Sequence, residues 1–417
     1  MKTKAFPEAN LPPDIQAKAD RMNLDESAVP PYTPLDITIL PEMSAAEKDR
    51  NALTVLQTFA EKFYGEIPPR CQKIEFIQTA SGKAFNGCAV RREFDIVCTN
   101  NGVSRTLHLL LYTPANAVKK VPCFLGLNFM GNTTVSNDPE VTFYPINPYP
   151  DPSPWRNDNR ARTPEEKRGV KAYRWEFEKV LKRGFASATL CLGDAQTDHP
   201  TAYKDGIMPL FYSEDQHNSP ERKSAAISAW AWGLMRAVDL LESLDFIDRN
   251  KIIVHGLSRL GKAAIWAGAN DRRIAMTVSF CSGTAGAKMS RRYFGENMEW
   301  LDNWHKDWFV PGFEKYIGND TQMPFDQQQL MAVIAPRKLY VASAVNDLYA
   351  DPQGEFLATR AASAAWGKDG IAQDVLRPVP GNGIGNEAVR YFIRNGEHDC
   401  LPENWDDLLD FAAKHFL

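Results

Sequence analysis

Ser258 stands in the run Gly256-Leu257-Ser258-Arg259-Leu260-Gly261. A serine bracketed by glycines where a strand turns into a helix suits nucleophilic acyl transfer. Residues 252–254 are Ile-Ile-Val, which favour a strand, and residues 262–269 are alanine-rich helix formers. Gly256 and Gly261 remove side chains where such a turn presses backbone against backbone. The turn would hold Ser258 in a strained conformation, its hydroxyl exposed, and aim the Arg259 backbone N–H at a developing oxyanion. The spacing Gly-x-Ser-x-x-Gly is one residue longer than the common Gly-x-Ser-x-Gly. The bare pattern is weak, and an N-capping serine at an ordinary helix start is its rival. The flanking strand and helix decide for the nucleophile. Lys262, four residues on, falls one turn along the same helix face, so a cation borders the serine.

A serine hydroxyl is a poor nucleophile at its own pKa and needs a base, which in turn needs an orienting acid. In the α/β-hydrolase arrangement that this turn suggests, the chain order is serine, acid, histidine. His108 lies in a strand, His255 precedes the turn and His415 lies in the terminal helix, whereas His398 follows the last strand in Asn395-Gly396-Glu397-His398-Asp399. His398 fits both position and order. For the acid, Asp347 stands three residues past the strand 339–344, and Asp351 competes. Asp347 is favoured because it is nearer the strand's carboxyl end and because Asp351 precedes Pro352 at a turn.

The elements that must position these groups can be read from periodicity. Residues 1–42 hold seven prolines and few periodic apolar positions, which predicts an extended arm on the body of residues 43–417. Residues 45–64 read as a helix, with Leu53, Leu56, Phe59 and Phe63 three or four apart. Strands are expected at 73–78, 92–98, 106–113 and 121–128, the second and third joined by the turn Asn100-Asn101-Gly102. The loop 128–134 after them is the candidate for a second oxyanion N–H. Two insertions, near 136–170 and 194–220, are long for a compact domain, and the first is expected to rim the site. Helices are expected at 171–183, 224–243, 354–366 and 405–416, with strands at 184–192, 274–281, 338–344 and 389–394. Residues 293–308 read as partly helical, and Trp300, Trp304 and Trp308 form an i, i+4, i+8 stripe of the core-facing kind. The predicted class is an α/β-hydrolase three-layer sandwich, a mostly parallel sheet with helices on both faces.

Of 417 residues, 44% are hydrophobic and 24% charged, enough for a sizeable core, and the formal net charge of −4 gives no case for nucleic acid. The seven cysteines are scattered without a Cys-x-x-Cys pair, so neither zinc nor a dense disulfide framework is expected. No metal cluster, phosphate loop or dinucleotide fingerprint calls for a cofactor. No apolar stretch is long enough to span a membrane, and none follows the charged start Met-Lys-Thr-Lys.

Beyond the turn itself, Gly256-Leu257-Ser258-Arg259-Leu260-Gly261-Lys262 resembles the elbow of the glucuronoyl esterases, carbohydrate esterase family 15, which reads Gly-Cys-Ser-Arg-x-Gly-Lys. Ala229-Trp230-Ala231-Trp232-Gly233, Ser290-Arg291-Arg292, Ala342-Ser343-Ala344 through Ala350-Asp351-Pro352, and Gly396-Glu397-His398 resemble the family in its own order. The resemblance covers roughly residues 25–417. It implies a serine esterase that cleaves (4-O-methyl-)glucuronic acid esters on xylan, as in lignin–carbohydrate linkages, and favours a secreted or periplasmic location, while the residues alone leave a cytoplasmic one open; a monomer is expected. It further implies that the Arg259 guanidinium helps the oxyanion, that Lys262 and Glu296 hydrogen-bond the uronate hydroxyls, and that Tyr349 replaces a sugar-contacting tryptophan. Glu296 would otherwise read as a solvated helix residue. The aspartate of the family's Asp-x-Trp-Ala-Asp-Pro motif falls on Asp347. Many members carry instead a glutamate where this chain has Cys281, here read as a small buried hydrophobe. With Cys281 and Tyr349 departing from the pattern, two alternatives stay open: an esterase on another uronate or acetyl ester, and a catalytically weak carbohydrate-binding relative.

Overall fold

Val121 to Asn128 is buried at every position, so this stretch has no solvent face and can only be a central strand. A computed structural model describes residues 17, 19–145, 164–199 and 202–417. Among the described residues ten strands form one sheet: β1 Lys73–Ala84, β2 Ala89–Asn100, β3 Val103–Pro114, β4 Val121–Asn128, β5 Ala186–Cys191, β6 Ile247–Leu257, β7 Ile274–Phe280, β8 Lys338–Ala344, β9 Gly383–Gly385 and β10 Val389–Arg394. Their spatial order is β1-β2-β3-β5-β4-β6-β7-β8-β10-β9. β1, β2 and β3 pair antiparallel, and β3 also runs antiparallel to β5. From β5 through β10 neighbouring strands are parallel, until β9 closes the edge antiparallel.

Side chains alternate across β6, which fixes the two layers. Ile252 and Val254 join the core beneath helices Ala226–Ser243 and Arg259–Asn270, while Ile253 and Leu257 face the opposite core with Trp405 and Leu408 of helix Pro402–Phe416. Helices on both faces of a mostly parallel sheet, in this strand order, make the α/β-hydrolase fold.

Several elements differ from the sequence reading. The helix expected at 171–183 breaks at Glu176, whose φ of 42° is left-handed, leaving a turn Ala172–Arg174 and a helix Phe177–Lys182. The stretch expected as helix at 45–64 is α-helical over Ala45–Phe59 and ends in a π turn, Ala60–Tyr64. The stretch after Asp194, a polar loop by sequence, is largely packed into the body: Gln196, Thr197, Asp198, Ile207, Met208 and Leu210 are all buried. The first insertion begins on the body, where Tyr112 and Ser136 hydroxyls bond at 2.7 Å and Arg91 pairs with Asp138. Its centre, residues 146–163, lies outside the described residues. The arm lies along the loop before helix Met298–His305: Gly295 N donates to Asn23 O at 2.8 Å and Arg292 pairs with Glu26. Among the described residues, no helix is long and apolar enough to cross a membrane.

Candidate active site

Ser258 has φ 60° and ψ −129°, the strained conformation expected at the turn between β6 and helix Arg259–Asn270. Both glycines are there for close approach. A Cβ on Gly256 would lie 2.1 Å from the Leu260 carbonyl oxygen, and one on Gly261 would lie 2.8 Å from Ser279 Oγ. Ser258 N donates to Phe280 O at 2.8 Å, tying the turn to the end of β7. The next residue of that strand end is Cys281.

His398 and Asp347 meet. His398 Nδ1 and Asp347 Oδ2 are 2.6 Å apart, with the Asp347 carboxyl buried and the imidazole 44% exposed. Burial works to lower the His398 pKa, but the charge of Asp347 and its hydrogen bond outweigh it and raise the value above the usual 6.5. The loop is held on both sides of the histidine, because Arg394 donates to the carbonyl oxygens of Glu397 and Asp399. Asp351 is occupied elsewhere: its carboxylate caps helix Pro352–Ser363 by accepting from Gly354 N at 2.9 Å and pairs with Arg292 at 2.6 Å. A cap and a buried ion pair account for it.

Cys281 stands between the turn and the histidine. Its sulfur, a carboxylate oxygen of Asp347 and a ring nitrogen of His398 lie within 4.8 Å of one another. Three such atoms could hold a soft metal, but burial, reinforced by the Asp347 charge, raises the thiol well above its ordinary pKa, and His398 Nδ1 is already engaged by Asp347. A protonated thiol is a poor ligand and packs as a small apolar group.

Lys262 is buried, and its ammonium donates to the carbonyl oxygens of Ser282 and Thr284. Burial lowers its pKa to about 8 against the opposing charges of Glu296 and Glu355. Glu296 sits in the loop before helix Met298–His305 rather than on a solvated helix face, and its backbone N–H donates to Tyr349 O at 2.9 Å. The charge of Lys262 acts on its carboxyl, so Lys262, Glu296 and Tyr349 border one region past β7 and β8. Glu355 secures that region from below, accepting from Ser282 N at 2.8 Å and Gly283 N at 2.9 Å. Nothing in its sequence context marked it.

Arg259 has partners that the sequence reading missed. Its guanidinium pairs with buried Asp198 and lies 4.8 Å over the Trp308 ring, while Trp308 Nε1 donates to Asp198 at 2.6 Å. His305 stacks on the same indole at 3.7 Å. Trp300 and Trp308 are buried as the stripe predicted, yet Trp308 belongs to a separate 3₁₀ turn and forms a platform beneath Arg259. Only the i, i+4 spacing was visible, and that spacing signals core. The loop after β4 is folded by Asn128, whose side-chain oxygen accepts from Gly131 N at 2.7 Å. Phe129 and Met130 of this loop line a cavity with Gly256 and Leu257, which puts the loop against the turn.

A strained serine at the end of β6 and a histidine–aspartate pair on the loops after β10 and β8 of the same sheet are groups that acyl transfer could use. Comparison with known proteins narrows the class. The sequence profile of the family described as "Glucuronyl esterase, fungi" matches residues 196–370. The chain is 35% identical over 417 residues to carbohydrate esterase MZ0003 from an unknown prokaryotic organism, spanning 97% of this chain and 94% of that one. It superposes on a glucuronoyl esterase from Solibacter usitatus with TM-score 0.84 and 37% identity, covering 94% of this chain and all (100%) of the other. A promiscuous CE15 esterase from a marine bacterial metagenome gives TM-score 0.83 at 35% identity, over 95% of this chain and 100% of that one. The chain belongs to carbohydrate esterase family 15, the glucuronoyl esterases.

Proposed function

We propose that this protein hydrolyses esters between the carboxyl of (4-O-methyl-)glucuronic acid on xylan and an alcohol. Ser258 Oγ attacks the ester carbonyl carbon while His398 takes its proton, and the Arg259 backbone N–H and guanidinium stabilise the oxyanion. Collapse breaks the bond to the alcohol, which leaves with the proton from His398. Water then attacks the uronyl-serine ester while His398 accepts its proton, the bond to Ser258 Oγ breaks as His398 returns that proton to the serine oxygen, and the free acid departs. Asp347 keeps the imidazole in the tautomer this needs. The observation that carries the reading is the 2.6 Å contact of His398 Nδ1 with buried Asp347, on loops following β10 and β8 of the sheet whose β6 runs into the strained Ser258. It favours an active esterase over a weak carbohydrate-binding relative, since a binding module has no use for an oriented imidazole. No cofactor enters. A polymeric plant-wall substrate also supports export from the cell.

A panel of methyl glucuronate, methyl galacturonate and aryl acetate tests the specificity. The glucuronate ester is expected to give the highest kcat/KM. Acetate hydrolysis without uronate hydrolysis would replace this reading with an acetyl esterase. One observation favours broader ester use: a relative of similar fold is described as promiscuous.

Lys262 is proposed to hold the sugar. Lys262→Ala should raise KM for glucuronate esters far more than for an aryl acetate. Because burial lowers its pKa to about 8, the wild-type KM for glucuronate esters should climb as pH passes that value and the ammonium is lost. Equal losses on both ester types in the mutant would instead mark a structural role.

A further inference from the structure

Arg259 is the first residue of helix Arg259–Asn270, where a cation faces the positive end of the helix dipole, and its side chain is only 21% exposed. Helix stability does not favour a positive charge there. Buried Asp198 pairs with the guanidinium through one carboxylate oxygen, and Trp308 Nε1 donates to the other at 2.6 Å. The guanidinium carbon lies 4.8 Å from the centroid of the Trp308 ring and 6.0 Å from that of Phe129. The charge is therefore close to both the indole and the loop after β4, which lies against the Ser258 turn.

Asp198 and Trp308 are themselves fixed. Gln196, two residues before Asp198, accepts at its carbonyl oxygen from Trp230 Nε1 at 2.8 Å, and its side-chain amide donates to Ala202 O at 3.0 Å. Trp230 meets Trp308 edge-on with ring centroids 5.9 Å apart, and just past Trp308 the Val310 N–H donates to Phe63 O at 2.8 Å. Burial works to raise the Asp198 pKa, but the Arg259 charge outweighs it and holds the carboxyl at about 2. Burial and the Asp198 charge push Asp307 up to about 8, so at neutral pH Asp198 carries the negative charge of the two. A buried ion pair adds little net stability, because both charges give up their hydration. What it offers the site is a guanidinium held in one place before the reaction begins.

Resting on the reading above that the Arg259 guanidinium stabilises the oxyanion, we propose that Asp198 is a positioning residue for ester hydrolysis, clamping that guanidinium against Trp308 so that its other N–H groups meet the negative charge as it forms. An arginine carries several N–H donors in a planar fork, and a carboxylate on one side leaves others for a ligand. Full charge develops on the carbonyl oxygen only towards the transition state, so the clamp acts on kcat more than on substrate binding.

The test measures kcat and KM on methyl glucuronate for Asp198→Asn, Arg259→Ala and the double variant. Arg259→Ala should lower kcat by about 10²–10³, the loss typical of one oxyanion donor. Asp198→Asn should lower kcat about ten- to hundredfold, as a displaced catalytic group does, with KM within about threefold of wild type. Without Arg259 the clamp has nothing to hold, so Asp198→Asn should cause no further loss in the Arg259→Ala background. Trp308→Phe keeps a ring under the guanidinium and removes the N–H on Asp198. It should show the same pattern with a loss of a few-fold, and it decides the matter if Asp198→Asn does not fold. Unchanged kcat in Asp198→Asn, or an equal loss with and without Arg259, overturns the clamp while leaving the esterase reading intact. Wild-type kcat in Arg259→Ala would remove the guanidinium from the mechanism and the clamp with it. A wild type inactive on methyl glucuronate would remove the esterase reading itself.

Discussion

Ser258→Ala is expected to lower kcat on glucuronate esters by on the order of 10⁶ while the protein stays folded. The substitution removes only the hydroxyl. Ser258 sits at φ 60°, and its structural bonds to Phe280 O and from Gly261 N are made by the backbone, which alanine retains. Its left-handed conformation costs alanine about as much as serine, so the thermal midpoint should move little. Activity near wild type in the purified variant would remove the serine mechanism.

The second large effect concerns Asp347, whose buried carboxylate is the acid in contact with His398 Nδ1. Asp347→Asn should cut kcat by roughly 10⁴, the loss typical when an amide replaces a triad aspartate and favours the wrong imidazole tautomer. The pH profile should move too. Asp347 raises the His398 pKa above 6.5, and His398 must be neutral to accept a proton, so wild-type kcat/KM should rise through a titration above that value. Without the carboxylate, the residual activity should titrate at lower pH. Cys281→Ala should change kcat only a few-fold, since a protonated thiol contributes packing and little charge. The sulfur lies within 4.8 Å of both Asp347 and His398, so Cys281→Glu in the Asp347→Asn background should restore part of the activity. Full activity of Asp347→Asn beside a dead Asp351→Asn or Glu397→Gln would put the acid elsewhere.

Strands and major helices were legible wherever apolar periodicity set them. The stretches 121–128, 338–344 and 389–394 have the expected limits because every position within them is constrained by burial or by pairing. The Ser258 turn was legible because glycine, serine and β-branched residues each have one physical reason to stand there. What stayed hidden depends on contacts far apart in sequence. Asp198 lies in what reads as a polar loop, and nothing local tells that Arg259, 61 residues later, will pair with it. Trp308 reads as core and is core, yet its ring also carries Arg259. Glu355 looks like an ordinary residue of an amphipathic helix until the turn at Ser282 and Gly283 is folded onto it. The break at Glu176 escaped notice because its left-handed φ falls on a residue with no intrinsic preference for it. Choosing Asp347 over Asp351 rested on strand ends and a proline. The structure adds why Asp351 is taken: it caps a helix and pairs with Arg292.

The most direct test of the central claim is mass spectrometry of peptides from wild-type enzyme acid-quenched during turnover of a glucuronate ester. The mechanism predicts one dehydrated uronic acid attached to the peptide that holds Ser258, absent in Ser258→Ala. The same adduct on any other residue, above all on the Cys281 thiol that shares the site, would contradict it.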